Sequence, residues 1–222
     1  MGELILCSHP IAAMPYYIDN ISLNVYSLEE LCYYIENHLY LIEADFMSEE
    51  LCLWIGQELD EKDLAQSLRS VLLGNGSLSD FTELILRSCG YCSEDTIRHI
   101  RSVLLDMQNK SVFECSKIRA DRYMESEKYV KAIHEYQKLL GMEEECKKNP
   151  VLEGNIRHNL GTACAELFLF DEAAANFLNA YRLNQNRESL AACMAACRLA
   201  KKTDILKKYK EEFHVSDEAF KS

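Results

Sequence analysis

The chain has 222 residues, only 8 Gly and 3 Pro, and a formal net charge of -12; so few turn formers speak against a sandwich or barrel and favour helices. The charge is one-sided: residues 1–110 hold 6 Lys+Arg against 18 Asp+Glu, residues 111–222 hold 18 of each, and no base precedes Lys62. An acidic segment of that kind repels phosphate backbones and anionic lipid, which weighs against nucleic acid and membrane surfaces as partners.

In chain order, residues 1–26 read as irregular with short extended pieces. Leu4–Cys7 is one. Ile21–Tyr26 is another, because Ile21, Leu23 and Val25 alternate with Ser22 and Asn24. Pro10 and Pro15 interrupt anything between them. Ser27 followed by Glu30 predicts a capping box, with Leu28, Leu31, Ile35 and Leu39 on one helix face. A second helix is predicted from Ser48, with Leu51, Ile55 and Leu59 inward beside Trp54. A third runs from Asp60 through Leu64, Leu68, Val71 and Leu72 to Gly74-Asn75-Gly76. A fourth runs from Ser77 through Phe81, Leu84 and Ile85 to Gly90. A fifth opens at Ser93, with Ile97, Ile100, Val103 and Leu104. Residues 1–110 therefore read as an acidic helical domain, and 111–222 as a second one.

The second half repeats itself. Ala120 precedes Tyr123 by three and Ala132 by twelve; Gly161 precedes Cys164 by three and Ala173 by twelve. An aromatic follows the alanine by four in both copies, Tyr136 and Phe177. The copies are offset by 41 residues, and the polar run Gly141 to Pro150 holds the excess over a 34-residue period. Two further helices are expected at Glu188–Lys201, rich in Ala and Cys, and at Asp204–Phe213, rich in charge. A polar outer helix suits the end of a repeat stack.

This spacing resembles the tetratricopeptide repeat (TPR) family. The resemblance implies antiparallel helical hairpins of the α-solenoid type, in which small residues let paired helices approach and an aromatic fills the seam. It also implies that the first helix of each hairpin lines a peptide-binding groove. On this alignment the groove residues are Lys117, Asp121, Met124, Glu125, Asn155, His158, Asn159, Thr162 and Glu166. Some members of the family clamp a peptide carboxylate with Lys, Asn and Arg. Lys117 and Asn159 suit that scheme, but Asp121 opposes it, and Ser189 and Cys193 stand where cations are needed.

Other chemistry has weaker signals. Cys89-Gly90-Tyr91-Cys92 is a CxxC, but Gly90 and Ser93 read as a helix stop and a helix cap, with no βαβ pattern around them. As a zinc site it lacks two ligands: no second CxxC exists, and Cys7 with His9 or Cys115 is a poor supplement. The six histidines form no HxxxH or HExxH pair, and no GxSxG, Walker or dinucleotide motif is present. No catalytic residue, metal ligand or cofactor is assigned. Tyr16, Tyr17, Tyr26, Tyr33, Tyr34 and Tyr40, with Phe46 and Trp54, read as an aromatic core or as an exposed patch. Glu29, Glu36, Glu43 and Glu49 are the candidate acidic docking face.

The expectation is an all-α, cytoplasmic, non-enzymatic adaptor or regulatory module. It binds a protein or peptide, a basic one in the docking reading, and inserts into no membrane. The alternatives are a helical redox or metal protein using Cys89 and Cys92, and a structural subunit of a larger assembly.

Overall fold

The computed structural model describes residues 9–214. The fold is all-α with one small two-stranded ribbon. Two compact units meet at Lys110 and Ser111. The extended piece expected at Leu4–Cys7 lies outside the described residues.

In the first unit, β1 (Tyr16–Ile18) pairs antiparallel with β2 (Leu23–Val25), Tyr16 opposite Val25 and Ile18 opposite Leu23. Ile18, Ile21 and Val25 are buried. α1 (Leu28–Asn37) starts where Ser27 Oγ accepts the Glu30 amide at 3.2 Å. The predicted return bond goes one residue further back: Tyr26 N–H donates to Glu30 Oε2 at 2.6 Å. α1 also ends before Leu39, which lies in a 3-10 turn, Leu39–Leu41, yet remains buried. Asn37 donates its side-chain amide to the Tyr33 carbonyl at 2.9 Å, a local bond that competes with helix continuation. A second 3-10 turn covers Ala44–Phe46.

Four helices complete this unit: α2 (Glu49–Gln57), α3 (Lys62–Leu73), α4 (Leu78–Cys89) and α5 (Glu94–Gln108). Ser48, Ser77 and Ser93 each accept an amide of the first turn and set three of the four starts. The core holds Leu28, Leu31, Ile35, Leu51, Ile55, Leu68, Phe81 and Ile85. Val71, Leu72, Leu84 and Val103 are only half-buried, so the apolar stripes of α3, α4 and α5 are narrower than their sequences suggest.

The α4 cap carries a measurable consequence. Ser77 donates its hydroxyl to Asp80 Oδ2 at 2.6 Å, and its amide to the same oxygen at 3.3 Å. These bonds, the hydroxyl first, hold the Asp80 carboxyl below its ordinary range, with Arg101 adding to them. A depressed folded-state value means the contribution is present above the unfolded value, near pH 4, and is lost as pH falls through the lower folded one. Asp80→Asn is expected to cost about 0.3–1 kcal/mol at neutral pH and to flatten the acid limb of stability against pH. Melts of both proteins across acid pH check this; parallel curves would remove the assignment.

The second unit contains α6 (Val112–Glu125), α7 (Tyr129–Gly141), α8 (Glu143–Lys148), α9 (Pro150–Glu166), α10 (Phe170–Asn184), α11 (Arg187–Leu199) and α12 (Thr203–Glu212). α6 packs on α7, α7 on α9, α9 on α10, α10 on α11 and α11 on α12. α8 corrects the sequence reading of Gly141–Pro150 as a polar insert. It is one short helix, anchored by buried Cys146 and laced by Lys147 and Lys148 paired with Glu143, Glu144 and Glu145.

The same turn joins three of these pairs. Glu127, Phe168 and Lys201 each take a left-handed conformation, with φ of 58°, 61° and 58°. The next residue is Lys128, Leu169 or Lys202, each near φ -88° to -83° and ψ 58° to 66°. The amides of these three donate back to the carbonyls of Tyr123, Cys164 and Cys197 at 2.8–2.9 Å. The repeat read as two copies at an offset of 41 thus has a third, 33 residues on, in α11 and α12. Among the described residues no helix is long and apolar enough to cross a membrane.

Candidate functional site

The residues expected to line a groove fall on α6 and α9, and most of their polar atoms are already engaged within the unit. Asp121 is the hub. Lys117 Nζ lies 2.5 Å from its Oδ2, one turn away on α6. Tyr136, from α7, donates its hydroxyl to Asp121 Oδ1 at 2.7 Å. Asn159, from α9, donates its amide to the Tyr136 oxygen at 3.2 Å and to Asp121 Oδ1 at 3.4 Å. The Tyr136 side chain is fully buried, and burial followed by the Asp121 carboxylate pushes its phenol far above the ordinary range. Lys117, Asp121 and Asn159 are therefore brought together, through a tyrosine that the sequence reading treated only as a seam filler.

The remaining groove residues divide. His158 Nδ1 lies 2.9 Å from Ser189 Oγ on α11, and its ring lies 5.2 Å from that of Phe177. Asn155 accepts from Asn184 of α10 at 3.0 Å. Thr162 donates its hydroxyl to the His158 carbonyl, within its own helix. Glu125 pairs with Arg122 at 2.6 Å. Met124 is half-buried and Glu166 is exposed. Met124, Glu125, Asn155, Thr162 and Glu166 thus supply the accessible part of this face, above a buried network that fixes α6, α7 and α9.

In the first unit the acidic face needs a correction. Glu36, Glu43 and Glu49 are exposed, Glu49 paired with Arg69 at 2.6 Å. Glu29 is buried and belongs to no docking surface. The chain ahead of β1 returns over the first turn of α1, so that the His9 amide donates to Glu29 Oε1 at 3.1 Å and His9 Nδ1 lies 2.9 Å from the same oxygen. That hydrogen bond raises the His9 imidazole above its ordinary value, against the opposing effect of burial. The tyrosines split between the two readings: Tyr34, Phe46 and Trp54 are buried, while Tyr17, Tyr26 and Tyr33 are exposed.

Cys89 closes α4, and Gly90 turns the chain in the left-handed region at φ 66°, as the stop signal required. The pair does not resemble an activated CxxC, because Cys89 sits at a helix C-terminus, where the dipole opposes a thiolate. Burial pushes Cys92 up to about 11. Cys89 has other neighbours: it makes a thiol–thiol hydrogen bond with buried Cys32, which lowers Cys89 and raises Cys32. Ligating atoms of His9, Glu29 and Cys89 all lie within 4.8 Å of one another. Sequence spacing could not find this trio, since its members lie 20 and 60 residues apart. A scan against protein-family models, and searches of curated proteins and of solved structures, find no match for the chain.

Proposed function

We propose that the second unit is a non-enzymatic, TPR-like binding module that holds a basic segment of a partner protein along the face carried by α6, α9 and α11. The observation that supports this most is the recurrence of one turn at Glu127, Phe168 and Lys201. A repeated turn gives three helix pairs the same handedness of connection, so α6, α9 and α11 become equivalent first helices, and a stack of such pairs offers an extended surface. Charge supplies the partner's chemistry. Asp121, Glu125 and Glu166 outnumber Lys117 on this face, and the exposed Glu36, Glu43 and Glu49 of the first unit add steering of the same sign. A carboxylate clamp is disfavoured, because the Lys117 cation is spent on Asp121. A cytosolic setting suits the buried free thiols Cys164, Cys193 and Cys197.

A photo-crosslinking amino acid at Met124 or Thr162, compared with one at exposed Val130 on α7, tests the reading in cells that express the protein. Adducts with a discrete partner are expected at the first two positions and not at Val130. Combining the crosslinker with Glu125→Lys and Glu166→Lys should suppress them by about tenfold or more, the effect of placing like charges against a basic ligand. Equal labelling at Val130, or labelling indifferent to the charge reversal, would overturn the proposal.

A further inference from the structure

We propose that His9, Glu29 and Cys89 form a zinc-binding site in the first unit, one that ties the segment ahead of β1 to α1 and α4. Three separate parts of the chain deliver the ligands. His9 precedes the β-ribbon, Glu29 lies in the first turn of α1, and Cys89 ends α4, which packs on α1. An imidazole nitrogen, a carboxylate oxygen and a thiol sulfur converge within 4.8 Å. Zinc bonds of about 2.0–2.3 Å in a tetrahedron separate neighbouring ligand atoms by roughly 3.3–3.8 Å. The trio therefore reaches zinc geometry through side-chain adjustments of about an ångström, with no movement of the helices.

The chemistry of the set selects the ion. Nitrogen, sulfur and one carboxylate suit zinc, whereas calcium and magnesium take oxygen ligands. Charge selects it too. Zinc with neutral His9, ionised Glu29 and the Cys89 thiolate makes a neutral assembly, which is what a buried site tolerates. Binding releases the Cys89 thiol proton, and the ring proton of His9 when that is present. Cys32, fully buried beside Cys89, stays a thiol and donates its S–H to the bound thiolate. The fourth position is left for water or an exogenous ligand.

The test uses the full chain, tag-free, reduced and stripped of metal, titrated with Co²⁺ and with Zn²⁺ against a chromophoric chelator. One equivalent is expected, and the cobalt form should show a thiolate-to-cobalt charge-transfer band in the near ultraviolet and intense tetrahedral bands in the visible. Cys89→Ser should abolish the charge-transfer band. His9→Ala, in a half-exposed segment outside the helices, keeps the test independent of core packing and should weaken zinc by about tenfold or more. His99→Ala, on the exposed face of α5, should leave both readouts unchanged. In the unsubstituted protein, zinc should slow alkylation of Cys89 in mass-mapped labelling. A cobalt spectrum with no thiolate band, a band that survives Cys89→Ser, or zinc affinity unchanged in His9→Ala would overturn the site.

Discussion

Gly161→Leu is expected to destabilise the second unit by about 3 kcal/mol, because it overpacks a closed helix crossing. A Cβ at Gly161 would already lie 2.9 Å from Cδ1 and Cε1 of Phe177. That ring has nowhere to retreat. It is 4% exposed and lies against the imidazole of His158, itself held near Ser189 of α11. Relief must therefore come from moving α10 away from α9, which loosens the contact across the hairpin. Gly161→Ala should cost less, about 1 kcal/mol, since a better helix propensity offsets part of the clash. Gly141→Leu is the matched control: a side chain there meets nothing within 4 Å, and a change within about 0.5 kcal/mol is expected. Thermal and denaturant melts of the three variants decide it. A loss below about 0.5 kcal/mol for Gly161→Leu would mean that Phe177 does not close this seam.

Gly161 and Phe177 also show what a single sequence can express. Their roles follow from residue size at a fixed helical spacing, and spacing is local information. The same holds for the serine caps at Ser48, Ser77 and Ser93, and for Gly90 as a helix stop. Tertiary placement is another matter. Glu29 reads as one more acid on an acidic face, because its sequence neighbours are acidic and helical. Its burial depends on His9 returning from twenty residues away, and nothing in the intervening pattern announces that return. Cys89 likewise reads as half of a CxxC with Cys92, the nearer thiol in sequence. In space its hydrogen-bonding partner is Cys32, set by the packing of α1 on α4. The third copy of the repeat was hidden for a related reason. Met194 and Leu206 replace the small residues of the first two copies, while the turn that defines the copy lives in backbone angles at Lys201 and Lys202. α8 escaped because a charged six-residue stretch has no apolar stripe, and its one anchor is Cys146.

Tyr136 and Asp121 are expected to be coupled by about 1.5–3 kcal/mol in a double-mutant cycle built from Tyr136→Phe and Asp121→Asn. The bond is 2.7 Å long, joins a fully buried phenol to a carboxylate, and bridges α7 to α6. A hydrogen bond to an ionised acceptor away from bulk water lies at the strong end of the range. Tyr136→Phe deletes the donor and also leaves the Asn159 amide with only its longer contact to Asp121. Asp121→Asn keeps the shape but removes the charge that holds Lys117 and receives the phenol. The cycle also bears on binding. If Asp121 serves mainly to fix the three helices, Tyr136→Phe should weaken partner capture only as far as it loosens α6 against α7 and α9. Conservative repair should then distinguish the two roles: Asp121→Glu restores charge but misplaces the acceptor, so it should recover attraction for a basic ligand while leaving stability low. A coupling below about 0.5 kcal/mol would place Asp121 with the exposed Glu125 and Glu166, as a ligand contact in its own right rather than the tie between α6, α7 and α9.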